Sequence, residues 1–324
     1  MNKSIKSIIS SHAFNILSVI LFTLAVLWFT LKDSYNEVIA TLNGISLGWL
    51  LFIVLVSILI QCVIGVGLTL LTKLSNPQYK LRQGILNSVV GSFFCGVTPS
   101  ASGGQFAQVY IFKKQGVDLS DAASILWMEF IIYQTTMVLF GLFLIIVRFK
   151  FFLGPLSSMS ILVILGFLVN SAIIFGLWAL GRFPKAYSFV STKGLSLAYK
   201  LRIIKDKEKA LEMLNIELKR FGKETEKLQN HKLLIVQCVL VDLIRLTLYY
   251  ALPYYCAKAL NIDVNMGQML DIIALASFVS TINAFIPIPG SSGGTEITFV
   301  FMFSFILGEI GARSTMIIWR VATF

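Results

Sequence analysis

Charge is scarce in this chain. Only 13% of its 324 residues are charged, against 56% hydrophobic, and the mean hydropathy is +0.82. No soluble domain of this size needs so apolar a composition, so the class is an all-α polytopic integral membrane protein. There are two histidines, His12 and His231, far apart in the chain, so no zinc constellation is available. The four cysteines, Cys62, Cys95, Cys238 and Cys256, fall within apolar runs without paired spacing. They read as buried thiols rather than a disulfide framework or a metal site. No acidic pair at metal-binding spacing, Walker lysine or Ser–His constellation stands out, and no cofactor is implied. The net charge of +11 does not point to nucleic acid, because the basic residues lie in the gaps between apolar runs.

Those runs give the topology. Lys3 and Lys6 precede an apolar stretch from Ala13 to Leu31, long enough for an uncleaved first span. A second covers about Leu47–Leu71, where Gln61, Gly65 and Gly67 suggest helix packing. Others are expected at Ala122–Val147, Met159–Leu180 and Leu233–Ala259. Between residues 182 and 232 lie thirteen Lys/Arg and six Asp/Glu. Leu211, Leu214, Leu218 and Phe221 there mark one helical face, an amphipathic segment along the membrane surface. The last apolar run, Thr315–Phe324, would make only about 15 Å of helix. The natural chain is therefore expected to continue past Phe324, the last span being incomplete.

Two apolar stretches are broken by similar polar sequences, Thr98-Pro99-Ser100-Ala101-Ser102-Gly103-Gly104-Gln105 and Pro287-Ile288-Pro289-Gly290-Ser291-Ser292-Gly293-Gly294-Thr295-Glu296. Each has a proline, three residues, then Gly-Gly. Proline stops a helix and glycine permits a sharp turn. Ser102 with Gln105 reads as a capping box, and Ser292 takes the matching place. Each stretch is thus expected to be a helix that ends, turns and restarts. If both are re-entrant, the amino terminus, the loop at 73–82, Lys113/Lys114 and the segment 182–232 share one side. That side then holds twenty Lys/Arg, and the other holds Lys32, Arg148, Lys150, Lys258 and Arg313. The positive-inside bias makes the richer side cytoplasmic, with the amino terminus on it. The two hairpins then enter from opposite sides, an inverted repeat of about six spans: repeat one about 47–147, repeat two about 233–324, all in a single transmembrane domain.

Such repeats commonly place a substrate at the midplane. A helix N-terminus offers unpaired N–H groups to a phosphate or carboxylate. The alternative is that proline and glycine only kink and pack two helices. Glu129, Asp242, Arg245, Asp271, Glu296 and Arg320 are ionisable residues within the apolar runs, where they are costly and face an interior or a wet cavity. Asp242 and Arg245, three apart, share a helix face, either as a structural ion pair or in transport. Glu296 stands in the first turn after Gly294, suited to capping or to a cation. Asp271 reads as the mouth of a hairpin. Glu129 follows Gly104 by 25 residues and Arg320 follows Gly294 by 26. These near-equivalent, oppositely charged positions are expected to pair across the repeat axis.

At these residues the sequence resembles the lysylphosphatidylglycerol synthase transmembrane, or flippase-like, family, the membrane half of the bacterial multiple peptide resistance factor. Pro99–Gln105 with Glu129, and Pro287–Glu296 with Trp319-Arg320, carry the resemblance, which covers essentially the whole chain. Ile288, Ser291 and Ser292 fill the variable places of a Pro-x-Pro-Gly-x-x-Gly-x-x-Glu pattern; Ser102 and Gln105 depart from residues common elsewhere. The resemblance implies a bacterial cytoplasmic-membrane translocator of an anionic or aminoacylated phospholipid. Its partners would be the lipid, an enzyme that makes it and, as an open question, a second copy. The alternatives are a protein of lipid modification related to the lysyltransferase, a transporter of a small anionic or zwitterionic solute, and a scaffold. The aminoacyltransferase domain of bifunctional members is not expected here, since the roughly fifty residues of 182–232 are too few for its core. The implied binding residues are Pro99, Ser100, Ser102, Gly103, Gly104, Gln105, Glu129, Asp242, Arg245, Pro289, Gly290, Ser292, Gly293, Gly294, Glu296 and Arg320.

Overall fold

The computed structural model describes residues 43–98, 103–149, 226–283 and 293–323, with 36, 40, 151, 166, 168–172, 174–176, 216 and 223. The first expected span, most of Met159–Leu180 and nearly all of the segment 182–232 lie outside the described residues, as do Pro99–Ser102 and Pro287–Ser292. Among the described residues the structure is helical, without strands: α1 Leu47–Lys73, α2 Leu81–Val97, α3 Gly103–Lys114, α4 Leu119–Val147, α5 Lys232–Ala259, α6 Met269–Asn283 and α7 Gly294–Thr323. A single 3₁₀ turn, Met266–Gln268, leads into α6. By length and composition α1, α4 and α5 could each cross a membrane, and α7 has the length and composition but not the straightness. Leu51, Val54, Leu55 and Ile58 of α1 and Leu139, Phe143 and Ile146 of α4 are exposed apolar surface. Such faces suit contact with lipid chains and would be a liability in water.

The helix ends are set locally. Ser46 accepts the Trp49 N–H and starts α1. Gln83 reaches back to the Lys80 N–H to start α2, and Asn265 with Gln268 closes a reciprocal box before α6.

Packing pairs reveal direction. Gly65 of α1 meets Gly84 and Ile85 of α2, while Gln61 accepts from Ser92 at 3.0 Å, so α1 and α2 are antiparallel. A Cβ on Gly84 would sit 2.4 Å from the Gly65 carbonyl oxygen, which is why this crossing takes glycine on both helices. Gly91 lies against the Gln108 side chain, the Asn87 amide donates to the Gln108 carbonyl, and the Gln115 amide donates to the Gln83 carbonyl. So α2 and α3 are antiparallel too. In α1 and α5, Gly67 meets Val241 and Phe52 meets Tyr255, again antiparallel, whereas α4 and α5 run parallel through Glu129–Arg245 and Phe140–Tyr250.

The last helix is not one rod. Gly308 has φ 70° and ψ 167°, a region open essentially to glycine alone. Arg320 lies 2.8 Å from Glu296, and the Trp319 and Phe299 rings are 4.9 Å apart. A straight helix would separate Glu296 and Arg320 by about 36 Å. Hence α7 folds back at Gly308 into two short antiparallel arms. Gly308→Ala is expected to cost about 1–3 kcal/mol of stability through backbone strain, read as a lower unfolding midpoint in detergent. A Cβ there meets no atom within 4 Å, so the loss would come from φ alone.

Two apolar cores result. One gathers Leu68 and Leu71 of α1 with residues 122–132 of α4 and Cys238 of α5. The other gathers Ile53–Ile60 of α1, Met137 and Leu144 of α4, Leu246–Ala259 of α5, and α6 and α7. On α5 Asp242 and Arg245 fall between them, and on α4 Glu129 lies near the inner edge of the first.

Candidate functional site

Arg245 sits 13 residues from the start of α5 and 14 from its end, about 20 Å from either. Its Nη1 donates to Glu129 Oε1 of α4 at 3.1 Å and stands 3.7 Å from Asp242 Oδ1. Its guanidinium lies 4.0 Å from the centre of the Tyr133 ring, one turn beyond Glu129. Two carboxylates therefore share one cation. Asp242 and Arg245 do share a face as their spacing suggests, but the closer partner of Arg245 comes from another helix. Asp242, Glu129, Arg245 and Cys238 line, with Ile64, Gly67 and Leu71 of α1, a cavity of about 10 Å³, the room of about one water.

The second ion pair lies inside α7. Glu296, 1% exposed, accepts Arg320 Nε through one oxygen and the Gly293 N–H, at 2.6 Å, through the other. Capping and charge pairing, alternatives for Glu296 from sequence, are both met by one carboxylate. The expected pairing of Glu129 with Arg320 does not form. Folding at Gly308 gives Arg320 a carboxylate on its own helix, and α5 supplies Arg245 to Glu129.

Tyr249, one turn after Arg245, joins the two systems. Its ring meets Trp319 edge-on, and its hydroxyl lies within electrostatic reach of both Arg245 and Arg320. The beginning of α3 is close as well. Gly104 presses on Cys95 and the Gly91 carbonyl, and Cys95 feels the charges of Glu129 and Arg245.

The start of α7 differs from the expected capping, while the box expected for α3 rests on a residue outside those described. The Gly103 N–H donates to Thr98 Oγ1 at 2.9 Å, and Thr98 donates in turn to the Phe94 carbonyl. Ser102, Pro99 and Ser100 lie outside the described residues, so the Ser102–Gln105 box does too; Gln105 sits exposed in the first turn of α3. Since α7 begins at Gly294, the residue before it is Gly293, with φ 87°, and not Ser292. Ser292, Pro289 and Gly290 also lie outside the described residues.

A whole-chain comparison decides the affiliation: the family model for the lysylphosphatidylglycerol synthase transmembrane region matches residues 15–324. The chain belongs to that family. No curated protein and no solved structure matches it. Membership in the lysylphosphatidylglycerol synthase transmembrane-region family indicates a membrane protein with a lipid-related role.

Sequence reading missed Tyr133, Tyr249, Thr98 and Arg148. The first two were detectable as i+4 neighbours of Glu129 and Arg245. Arg148, just past α4, makes a two-pronged ion pair with Asp271 in the first turn of α6, both contacts 2.6 Å. Asp271 thus fastens the beginning of α6 to the end of α4. At the other end of the bundle Tyr79 donates to Gln115 at 2.6 Å, tying the loop before α2 to the turn after α3. Burial pushes the Tyr79 hydroxyl up to about 12 from its ordinary 10, against a lowering contribution from Asn87. The native state therefore favours the neutral phenol. Its stabilisation is full below pH 10 and is lost as pH rises from 10 toward 12. Unfolding midpoints of wild type and Tyr79→Phe should converge over that window.

Proposed function

We propose that this protein moves a phosphate-bearing membrane lipid between the leaflets, carrying its head group past the charged layer between the two apolar cores. In this reading α2/α3 and α6 with the first arm of α7 are re-entrant hairpins inserted from opposite sides, and repeats one and two are inverted copies. Three features support it. The corresponding helices α1 and α5 run antiparallel. At 12 residues, α3 is about 18 Å long, well short of a bilayer. Tyr79–Gln115 and Arg148–Asp271 tie the outer ends of the two hairpins to opposite ends of the bundle.

The observation that carries the proposal is Glu296. One carboxylate occupies both the Arg320 guanidinium and the Gly293 N–H. A lipid phosphate offers the same acceptor chemistry and takes that place as it passes. Aligned donors offset the cost of bringing an anion into the interior. Glu129 and Asp242 face a cationic part of the head group, where there is one, once α1 and α4 part; at about 10 Å³ the cavity admits only water.

Reconstitution in proteoliposomes with labelled phosphatidylglycerol, reading leaflet accessibility with time, is the test. Gly104→Leu should abolish lipid movement, because even a Cβ there would lie 2.1 Å from Cys95 Sγ and 2.8 Å from the Gly91 oxygen. Unchanged lipid movement in that variant would refute the site. Uptake of a soluble anion without lipid movement would establish the solute transporter instead.

A further inference from the structure

We infer that Asp242 is a proton-binding site, and that lipid movement is coupled to loading and unloading of that proton. The coupling rests on the lipid reading above; the proton site does not.

Charge and geometry carry the argument. Glu129 and Asp242 bring two negative charges to a mid-helix position that Arg245 answers with one positive charge. The arginine is committed unequally. It hydrogen-bonds Glu129 at 3.1 Å but stands 3.7 Å from Asp242, beyond hydrogen-bond length. The Asp242 side chain is only 9% exposed, and its carboxylate has only the longer share of the Arg245 guanidinium, at 3.7 Å. A buried carboxylate whose cation is committed more closely elsewhere is costly in a protein interior, more so in a membrane. One proton on Asp242 makes the triad neutral.

The cavity selects the occupant. It admits about one water and excludes an ammonium head group or a hydrated metal ion as it stands. That water is the immediate donor: an O–H bond forms on an Asp242 oxygen as a hydronium gives up its proton, and the reverse step returns it. No other residue around Asp242 suits the role. From α4 it is faced by Glu129, held by Arg245, and by Tyr133, under the guanidinium. From α1 the cavity wall is Ile64, Gly67 and Leu71. On its own helix are Cys238, Arg245 and Tyr249. The ionisable groups of α7 and α6 are engaged elsewhere: Arg320 is bound by Glu296, and Asp271 by Arg148 at the far end of α4. Coupling follows from the shared arginine. A protonated Asp242 leaves Arg245 to Glu129; a deprotonated one competes for it, and an incoming phosphate draws on the same charges.

Infrared difference spectra of the reconstituted full chain across pH test the site without any transport. A titrating carboxylic-acid C=O band should appear, vanish in Asp242→Asn and persist in Glu129→Gln. No such band, or one that follows Glu129 instead, overturns the assignment. In proteoliposomes an imposed pH gradient should change the rate of lipid movement several-fold in wild type and leave Asp242→Asn indifferent. A wild type that moves lipid at a gradient-independent rate overturns the coupling. A wild type that shows the band but moves no lipid overturns the lipid reading and leaves the proton site standing.

Discussion

Arg245→Leu is expected to be among the most damaging single changes in the chain, with a loss of about 3–5 kcal/mol and of lipid movement. The guanidinium answers two carboxylates drawn from two helices, and its removal leaves the buried Asp242 and the part-buried Glu129 without it. It also removes the cation resting on the Tyr133 ring. The unfolding midpoint of the purified protein in detergent reads the first effect. A triple variant, Arg245→Leu with Glu129→Leu and Asp242→Leu, should recover most of the stability, because an apolar set replaces a buried ionic one at little net cost. It should recover none of the transport. If instead the single variant kept wild-type stability, the triad would be wetter than its burial implies.

Glu296→Ala is the second large expectation, again about 3–5 kcal/mol. This carboxylate is 1% exposed and serves two donors from distant parts of α7, the Gly293 N–H and Arg320. Its loss takes the paired carboxylate from the largely buried Arg320 and opens the beginning of the helix. The conservative Glu296→Gln separates the two roles. Its amide oxygen still accepts the Gly293 N–H but carries no charge for Arg320, so part of the stability should return. Transport should respond differently from stability. With no carboxylate competing for Arg320, phosphate binds more tightly and is released more slowly, so Glu296→Gln should show tighter lipid retention with slower turnover. Lipid co-purification and the accessibility assay read these separately.

What could be read from residue order was whatever depends on solvent and local chain geometry. A charge fraction of 13% and apolar runs of span length made a helical membrane protein unavoidable. Gly-Gly after proline marked where α3 and α7 begin, since only those residues permit the break and the close approach, and Gly104 against Cys95 shows the approach. The i, i+3 spacing of Asp242 and Arg245 placed them together because a helix repeats every 3.6 residues. The near-equal spacing, 25 residues from Gly104 to Glu129 and 26 from Gly294 to Arg320, suggested a pairing that does not form.

Which charge meets which was settled only in three dimensions. Glu129 and Arg320 match in sequence, yet each is nearer to another partner, because ion pairs form by distance between helices. That distance depends on how α4 crosses α5 and how α7 folds at Gly308. Nothing local to Gly308 distinguishes it from Gly311, three residues on; its positive φ is seen only in the folded chain, where the arms it joins bring Phe299 against Trp319. Likewise, Arg148 and Asp271 are 123 residues apart and meet only because α4 ends where α6 begins. Local propensity chose the helices, and packing of their apolar faces chose the partners.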